Sequence, residues 1–161
     1  MSVKDSFSHM DGDGNVRMAD IAKKKITRRV ATASCRVEMK PQTLTAIVED
    51  GIRKGNVFTV AKVAAISAAK RTGELIPLCH SLAPEHVDVH FTPELQTGEL
   101  KIQTTVTVTA RTGAEMEALQ AAAQAALTIY DMCKAVDRGM RITSLELISK
   151  EGGKSGTWKR E

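Results

Sequence analysis

The run Leu127-Thr-Ile-Tyr-Asp-Met-Cys-Lys134 sets a carboxylate and an amine three residues apart at the end of an amphipathic stretch. Residues three apart on a helix are neighbours, so Asp131 and Lys134 can exchange a proton with each other or with a ligand. At about 100° per residue, Met116, Leu119, Ala122, Ala123, Ala126, Leu127, Tyr130 and Cys133 form one apolar arc. Glu117, Gln120, Gln124, Thr128 and Asp131 make a polar stripe opposite. Ordinary amphipathic packing accounts for that stripe. It does not account for Lys134, which falls on the edge of the apolar arc in line with Met116 and near Leu127. A lysine there either snorkels to water or is held partly dry. Burial lowers an amine pKa and a nearby carboxylate raises it, so a half-dry pair is suited to acid–base work.

Other constellations carry weaker signals. Arg53-Lys54-Gly55-Asn56 stands at the entry to a helix, where unpaired amides and the dipole would favour a phosphate beside Lys54; a solvated basic turn is the plainer meaning. Leu75-Ile-Pro-Leu-Cys-His80-Ser-Leu-Ala-Pro84 lies between prolines and suits neither helix nor central strand. It presents Cys79 and His80 beside apolar neighbours, as a pocket wall or as a packed crossover. Cys79, His80, His86 and His90 have no structural zinc spacing. Gly152-Gly-Lys154-Ser155-Gly156 ends like a P-loop, but Ile148 stands where a glycine is required. Asp11-Gly-Asp13-Gly-Asn15 starts like a calcium loop, yet Val16 and Ala22 replace its glycine and its glutamate. Lys150 and Lys154 remain usable as cations for an anion.

The elements that must position these groups follow from periodicity. Residues 1–26 read as a largely irregular N-terminal segment. Residues 30–40 alternate, with Ala31, Ala33, Cys35, Val37 and Met39 on the inner face. Pro41 and Gly51 bracket a short helix, and a second runs over 56–72 with Asn56 as N-cap and Gly73 as stop. Val87, Val89 and Phe91 face inward on the next strand, and Leu100, Ile102, Thr104, Val106 and Val108 continue as a long strand after it. Thr112 and Glu115 fit a capping box for the third helix, which ends near Arg138-Gly139. A last strand covers 141–149, and 151–161 reads as a flexible Gly/Lys-rich tail. The order β-α-α-β-β-α-β, apart from the doubled helix, is the ferredoxin-like split βαβ: an α+β domain over 27–150, its helices on one face of an antiparallel sheet. The other face carries Thr, Gln and Lys, and part of it can be buried against another subunit.

The composition fits one domain. The 161 residues are 42% hydrophobic, and the aromatics are only three Phe, Tyr130 and Trp158, so Ala, Val, Ile and Leu must build the core. A net charge of +4 and a pI near 9.1 favour an anionic partner without naming it. Cys35, Cys79 and Cys133 are an odd count with no CxxC, which reads as free thiols in a reducing cytoplasm. No secretory leader or membrane-spanning run stands out.

Together, Met18-Ala-Asp20, Lys54-Gly55, Ala68-Ala-Lys-Arg-Thr72, Leu75-Ile-Pro-Leu-Cys-His80, Thr112-Gly-Ala-Glu-Met-Glu-Ala-Leu119, Ala126-Leu-Thr-Ile-Tyr-Asp-Met-Cys-Lys-Ala-Val136 and Gly152-Gly-Lys-Ser-Gly156 resemble the cyclic pyranopterin monophosphate synthase family, the MoaC proteins of molybdenum cofactor biosynthesis. The resemblance covers nearly the whole chain. It implies a lyase-type rearrangement of the cyclised dihydroguanosine triphosphate, in which pyrophosphate leaves as a cyclic phosphate closes. It implies Asp131 and Lys134 as the acid–base pair, with Lys54 as a catalytic or phosphate-orienting cation. Leu78, Cys79, His80, Met116 and Glu117 match substrate-contacting positions, and Arg29, Lys150 and Lys154 match basic positions near the triphosphate. The resemblance requires no metal or organic cofactor. It implies a homohexamer, a trimer of dimers, with sites at subunit interfaces. Two departures stand out: Asn56 where the family commonly has Asp, and Ser81 where proline commonly follows the histidine. The rival reading is a basic RNA-binding ferredoxin-like module. Such modules stack bases on sheet aromatics, which the 30–40 and 99–110 strands lack.

Overall fold

The computed structural model describes residues 9–10, 13–50, 52 and 54–161. The Asp11-Gly12 start of the calcium-like run, Gly51 as a helix stop and Arg53 lie outside the described residues. Strand β1 (Thr27–Glu38) leads to helices α1 (Pro41–Val48), α2 (Val57–Lys70) and α3 (Thr72–Leu75). A hairpin of β2 (His86–Glu94) and β3 (Glu99–Ala110) precedes the long α4 (Glu115–Cys133), and β4 (Arg141–Glu151) and β5 (Trp158–Lys159) follow. The sheet order is β2-β3-β1-β4-β5, and each neighbouring pair is antiparallel. Its first four strands have the ferredoxin-like order. Helices α2 and α4 pack together, α4 lying over β1, β3 and β4 on a single face of the sheet.

Alternation decides the sheet's two faces. Ala31, Ala33, Cys35 and Val37 of β1 and Leu100, Ile102, Thr104, Val106 and Val108 of β3 are buried under the helices. Small side chains let α4 approach closely: Ala118, Ala121, Ala122, Ala125 and Ala126 are fully buried. Two buried polar groups tie the layers. Thr104 Oγ1 donates to the Ala118 carbonyl at 2.7 Å, and the Cys35 thiol donates to that of Ala122 at 3.3 Å. On the open face Thr32 and Thr105 share a hydroxyl hydrogen bond of 3.1 Å.

Several boundaries differ from expectation, each for a local reason. Helix α2 stops at Lys70, and the Thr72 hydroxyl closes its end on the Ala68 and Ala69 carbonyls. Gly73 therefore lies inside α3 rather than ending α2. The capping box at α4 does not form, because Glu115 turns to Lys150, 3.0 Å away. Helix α4 ends at Cys133, one turn early. Asp137 is buried there as an acceptor for Lys40 N (2.9 Å), Thr43 Oγ1 (3.3 Å) and Gly139 N (3.0 Å). Those bonds hold its carboxyl below the usual range, the Lys40 amide first. The tail also departs from the flexible reading, since Trp158–Lys159 pairs with β4 and Arg160 Nε donates to the Leu147 carbonyl at 2.8 Å.

The turn before β3 gives a stability prediction. Gly98 has φ +76°, and a Cβ there would run into the Met39 carbonyl. Gly98→Ala is expected to cost about 1–2 kcal/mol, read as a lower urea midpoint at unchanged m.

Candidate functional site

The candidate residues fall into two clusters at opposite ends of α4. At its C-terminal end, Asp131 stands between two cations. Lys134 Nζ is 2.7 Å from Asp131 Oδ1, while Lys54 Nζ donates to the Asp131 carbonyl at 2.8 Å and lies 3.7 Å from Oδ2. Asn56 caps α2 by accepting from Thr59 N at 2.7 Å, as expected, and so fixes the turn that carries Lys54. The Lys134 hydrogen bond and charge, then Lys54, lower the Asp131 pKa; Asp131 in turn raises that of Lys134. Each partner therefore favours the charged form of the other.

The expectation of a half-dry Lys134 is not met within one chain. Its side chain is 53% exposed and that of Asp131 63%. The buried arc of α4 runs through Ala118, Ala122, Ala125, Ile129 and Met132, about 100° from the arc expected. The cause is size. Close packing against α2 and the sheet selects the alanine stripe and turns Met116 (38% exposed) and Leu127 (53%) outward.

That rotation also buries Glu117, expected on the wet face and only 1% exposed. Burial foremost, with a push from Glu115, raises its pKa to about 7. Glu117 Oε2 has no hydrogen-bond partner among the described residues, and the Cys79 thiol lies 4.0 Å from Oε1, at the limit of donation. Burial, then Glu117 and Glu115, raises the Cys79 pKa. Leu78, Cys79 and His80 are half-buried, in the short loop after α3.

The basic positions gather at this same N-terminal end of α4. Arg29 is held by the Ala110 carbonyl (Nε, 3.1 Å) and the Arg111 carbonyl (Nη2, 3.2 Å). A Cβ on Gly153 (φ +76°) would meet the Arg29 guanidinium, so glycine lets the backbone cross it and set Lys154 alongside. Arg29 and Lys154 line a cleft of about 830 Å³ with Lys23, Lys24, Lys25, Thr27 and Ser155. The three lysines were not among the candidates, although three consecutive cations are a signal visible in the sequence. Lys150 is occupied by Glu115 rather than turned to this cleft. Glu117 and Asp131 are about 21 Å apart along the helix axis at 1.5 Å per residue. The structure thus joins Lys54 to Asp131 and Lys134, and Cys79 to Glu117, but keeps the two clusters apart within a chain.

Among the described residues no group of three or more His, Cys, Asp or Glu could hold a metal, and no helix is long and apolar enough to cross a membrane. All three cysteines are free.

An α+β domain with a charged triad at one end of its central helix and a basic cleft at the other is here an enzyme of a known class. The MoaC family model matches residues 18–153, and the chain belongs to that family. It is 55% identical over 157 residues to the cyclic pyranopterin monophosphate synthase of Chloroflexus aggregans, covering 98% of this chain and 95% of that one. The enzyme of the same name from Rhodospirillum rubrum is 54% identical with the same coverage. That of Geobacter metallireducens is 51% identical over 156 residues, 97% of this chain and 98% of its own.

Proposed function

We propose that this chain is the lyase of molybdenum cofactor biosynthesis that its relatives' name describes, making cyclic pyranopterin monophosphate with release of pyrophosphate. Its substrate is the cyclised dihydroguanosine triphosphate. The observation that carries the assignment of roles is Asp131 held between Lys54 and Lys134. Closing a cyclic phosphate forms a P–O bond from the attacking hydroxyl, whose proton passes to the Asp131 carboxylate, and breaks the P–O bond to the departing pyrophosphate. Lys134, kept protonated by Asp131, supplies a proton to the reorganising ring or leaving group, and Lys54 neutralises phosphate charge. Arg29 and Lys154, with Lys23, Lys24 and Lys25 around the cleft, hold the triphosphate; Lys150 joins them when the Glu115 pair opens. Leu78, Cys79, His80, Met116 and Glu117 contact the ring system.

One triphosphate-bearing nucleotide cannot span both ends of α4 and touch each cluster closely. In this reading one subunit's Asp131 cluster faces another's basic cleft and His80 loop, and the family resemblance implies that it does so within a homohexamer, a trimer of dimers. The outward Met116, Leu127, Val60 and Val63 supply apolar surface for such contacts. The three free thiols suit the cytoplasm. The strands β1 and β3 carry no aromatic residue on which RNA bases could stack.

Mixed assemblies test the shared site. Asp131→Asn and His80→Ala subunits, each inactive alone, are unfolded together, refolded and assayed for pyrophosphate and pterin. If the two residues come from different chains, mixing restores roughly a quarter of wild-type activity, because half the pairs are mixed and each keeps one intact site. No recovery, with mixing verified by mass spectrometry, rules out the shared site.

A further inference from the structure

We propose that Asp50 and Asn56 form a clasp that positions Lys54, an inference that rests on the reading of Lys54 as part of the site. Lys54 is carried by the connection between α1 and α2, and its side chain is 48% exposed. Little packing aims it, so its direction depends on the backbone beneath. That backbone reverses twice around it, at Asp50 (φ +54°) and at Gly55 (φ +99°). Left-handed φ is the region Asp and Gly enter at least cost.

Asn56 closes the connection with both ends of its amide. Its Oδ1 accepts from Thr59 N at 2.7 Å and caps α2. Its Nδ2 donates to the Asp50 carboxyl oxygen Oδ1 at 2.6 Å, a short bond. Asp50 N is tied to the Ile47 carbonyl at the end of α1, and Gly55 N to that of Ile52. The clasp thus fastens the end of α1 to the start of α2, with Lys54 projecting between them to the Asp131 carbonyl at 2.8 Å. Capping alone does not explain Asn56, because aspartate caps as well. Unlike a carboxylate, the amide can cap and donate to Asp50 at once.

Asn56→Asp separates the two roles. It keeps the cap acceptor, removes the donor and sets a second carboxylate against Asp50. It is expected to lower kcat about tenfold, with KM changed far less, and to speed hydrogen exchange at the Gly55 and Asn56 amides about tenfold. The exchanged pair Asp50→Asn/Asn56→Asp rebuilds the bond in reverse, and kcat should return to within about threefold of wild type. Wild-type kcat in Asn56→Asp, or an exchanged pair no better than that variant, overturns the clasp. If the wild-type protein itself makes no pterin, the functional reading falls and amide exchange alone decides. Faster exchange in Asn56→Asp that the exchanged pair reverses supports the clasp, and unchanged exchange overturns it.

Discussion

Lys134→Ala is expected to lower kcat for pyrophosphate release by about 10²–10⁴-fold while leaving fold and assembly unchanged, because a positioned proton carrier contributes on that scale. Lys134 is solvent-exposed and its close side-chain partner among the described residues is Asp131, itself exposed, so removing it opens no cavity and strands no buried charge. Native mass and thermal midpoint should match the wild type. Lys134→Arg separates two versions of the role. Arginine keeps the positive charge beside Asp131 but cannot give up a proton at accessible pH. A purely electrostatic lysine predicts most activity surviving in the arginine variant. A proton donor predicts that both variants are equally poor. Alanine at wild-type kcat would end the reading of this cluster as the catalytic one.

Much of the scaffold for that cluster could be read from period-two alternation, since the alternating apolar set expected on one face of β1 is buried, as is the Leu100 to Val108 set of β3. Strand patterns are robust because a one-residue slip would expose a whole face. The phase of α4 was harder to read. Alanines occupy both candidate stripes, and hydrophobicity favours the one holding Met116 and Leu127. Packing distance favours the other, because only small side chains allow α2 and the sheet to come so close. Periodicity could place Asp131 beside Lys134, since they share a helix. It could not bring in Lys54, 77 residues away from Asp131, or pair Cys79 with Glu117, 38 residues on. Those contacts depend on the α2–α4 packing and on the loop after α3. The role of Asp137 was equally hidden, because its partners at Lys40 and Thr43 lie nearly a hundred residues earlier.

Glu117→Gln is expected to stabilise the protein above neutral pH by about 2 kcal/mol, at a cost in activity. Burial raises the folded-state pKa from 4.5 to about 7, and the full shift is reduced because the surrounding protein relaxes around a buried carboxylate when it ionises. The folded protein holds this proton more tightly than the unfolded chain. The stabilisation is therefore complete below about pH 4.5, falls away between 4.5 and 7, and is gone above 7, where folding must bury an ionised carboxylate. Glutamine has the same shape and no proton to lose. The stability difference between variant and wild type should be near zero at pH 4.5, grow through the interval and level off above 7. Urea melts at half-unit pH steps measure it, and a difference that does not vary with pH would mean Glu117 does not titrate there. A side chain left at this cost beside Cys79, with one oxygen unpartnered, fits a site that gives up stability to bind its ligand. The more stable variant should then show a KM raised at least about tenfold, the loss expected when a buried polar contact goes unmade. Unchanged kinetics in a stabilised variant would remove Glu117 from the substrate contacts and leave it a packing residue.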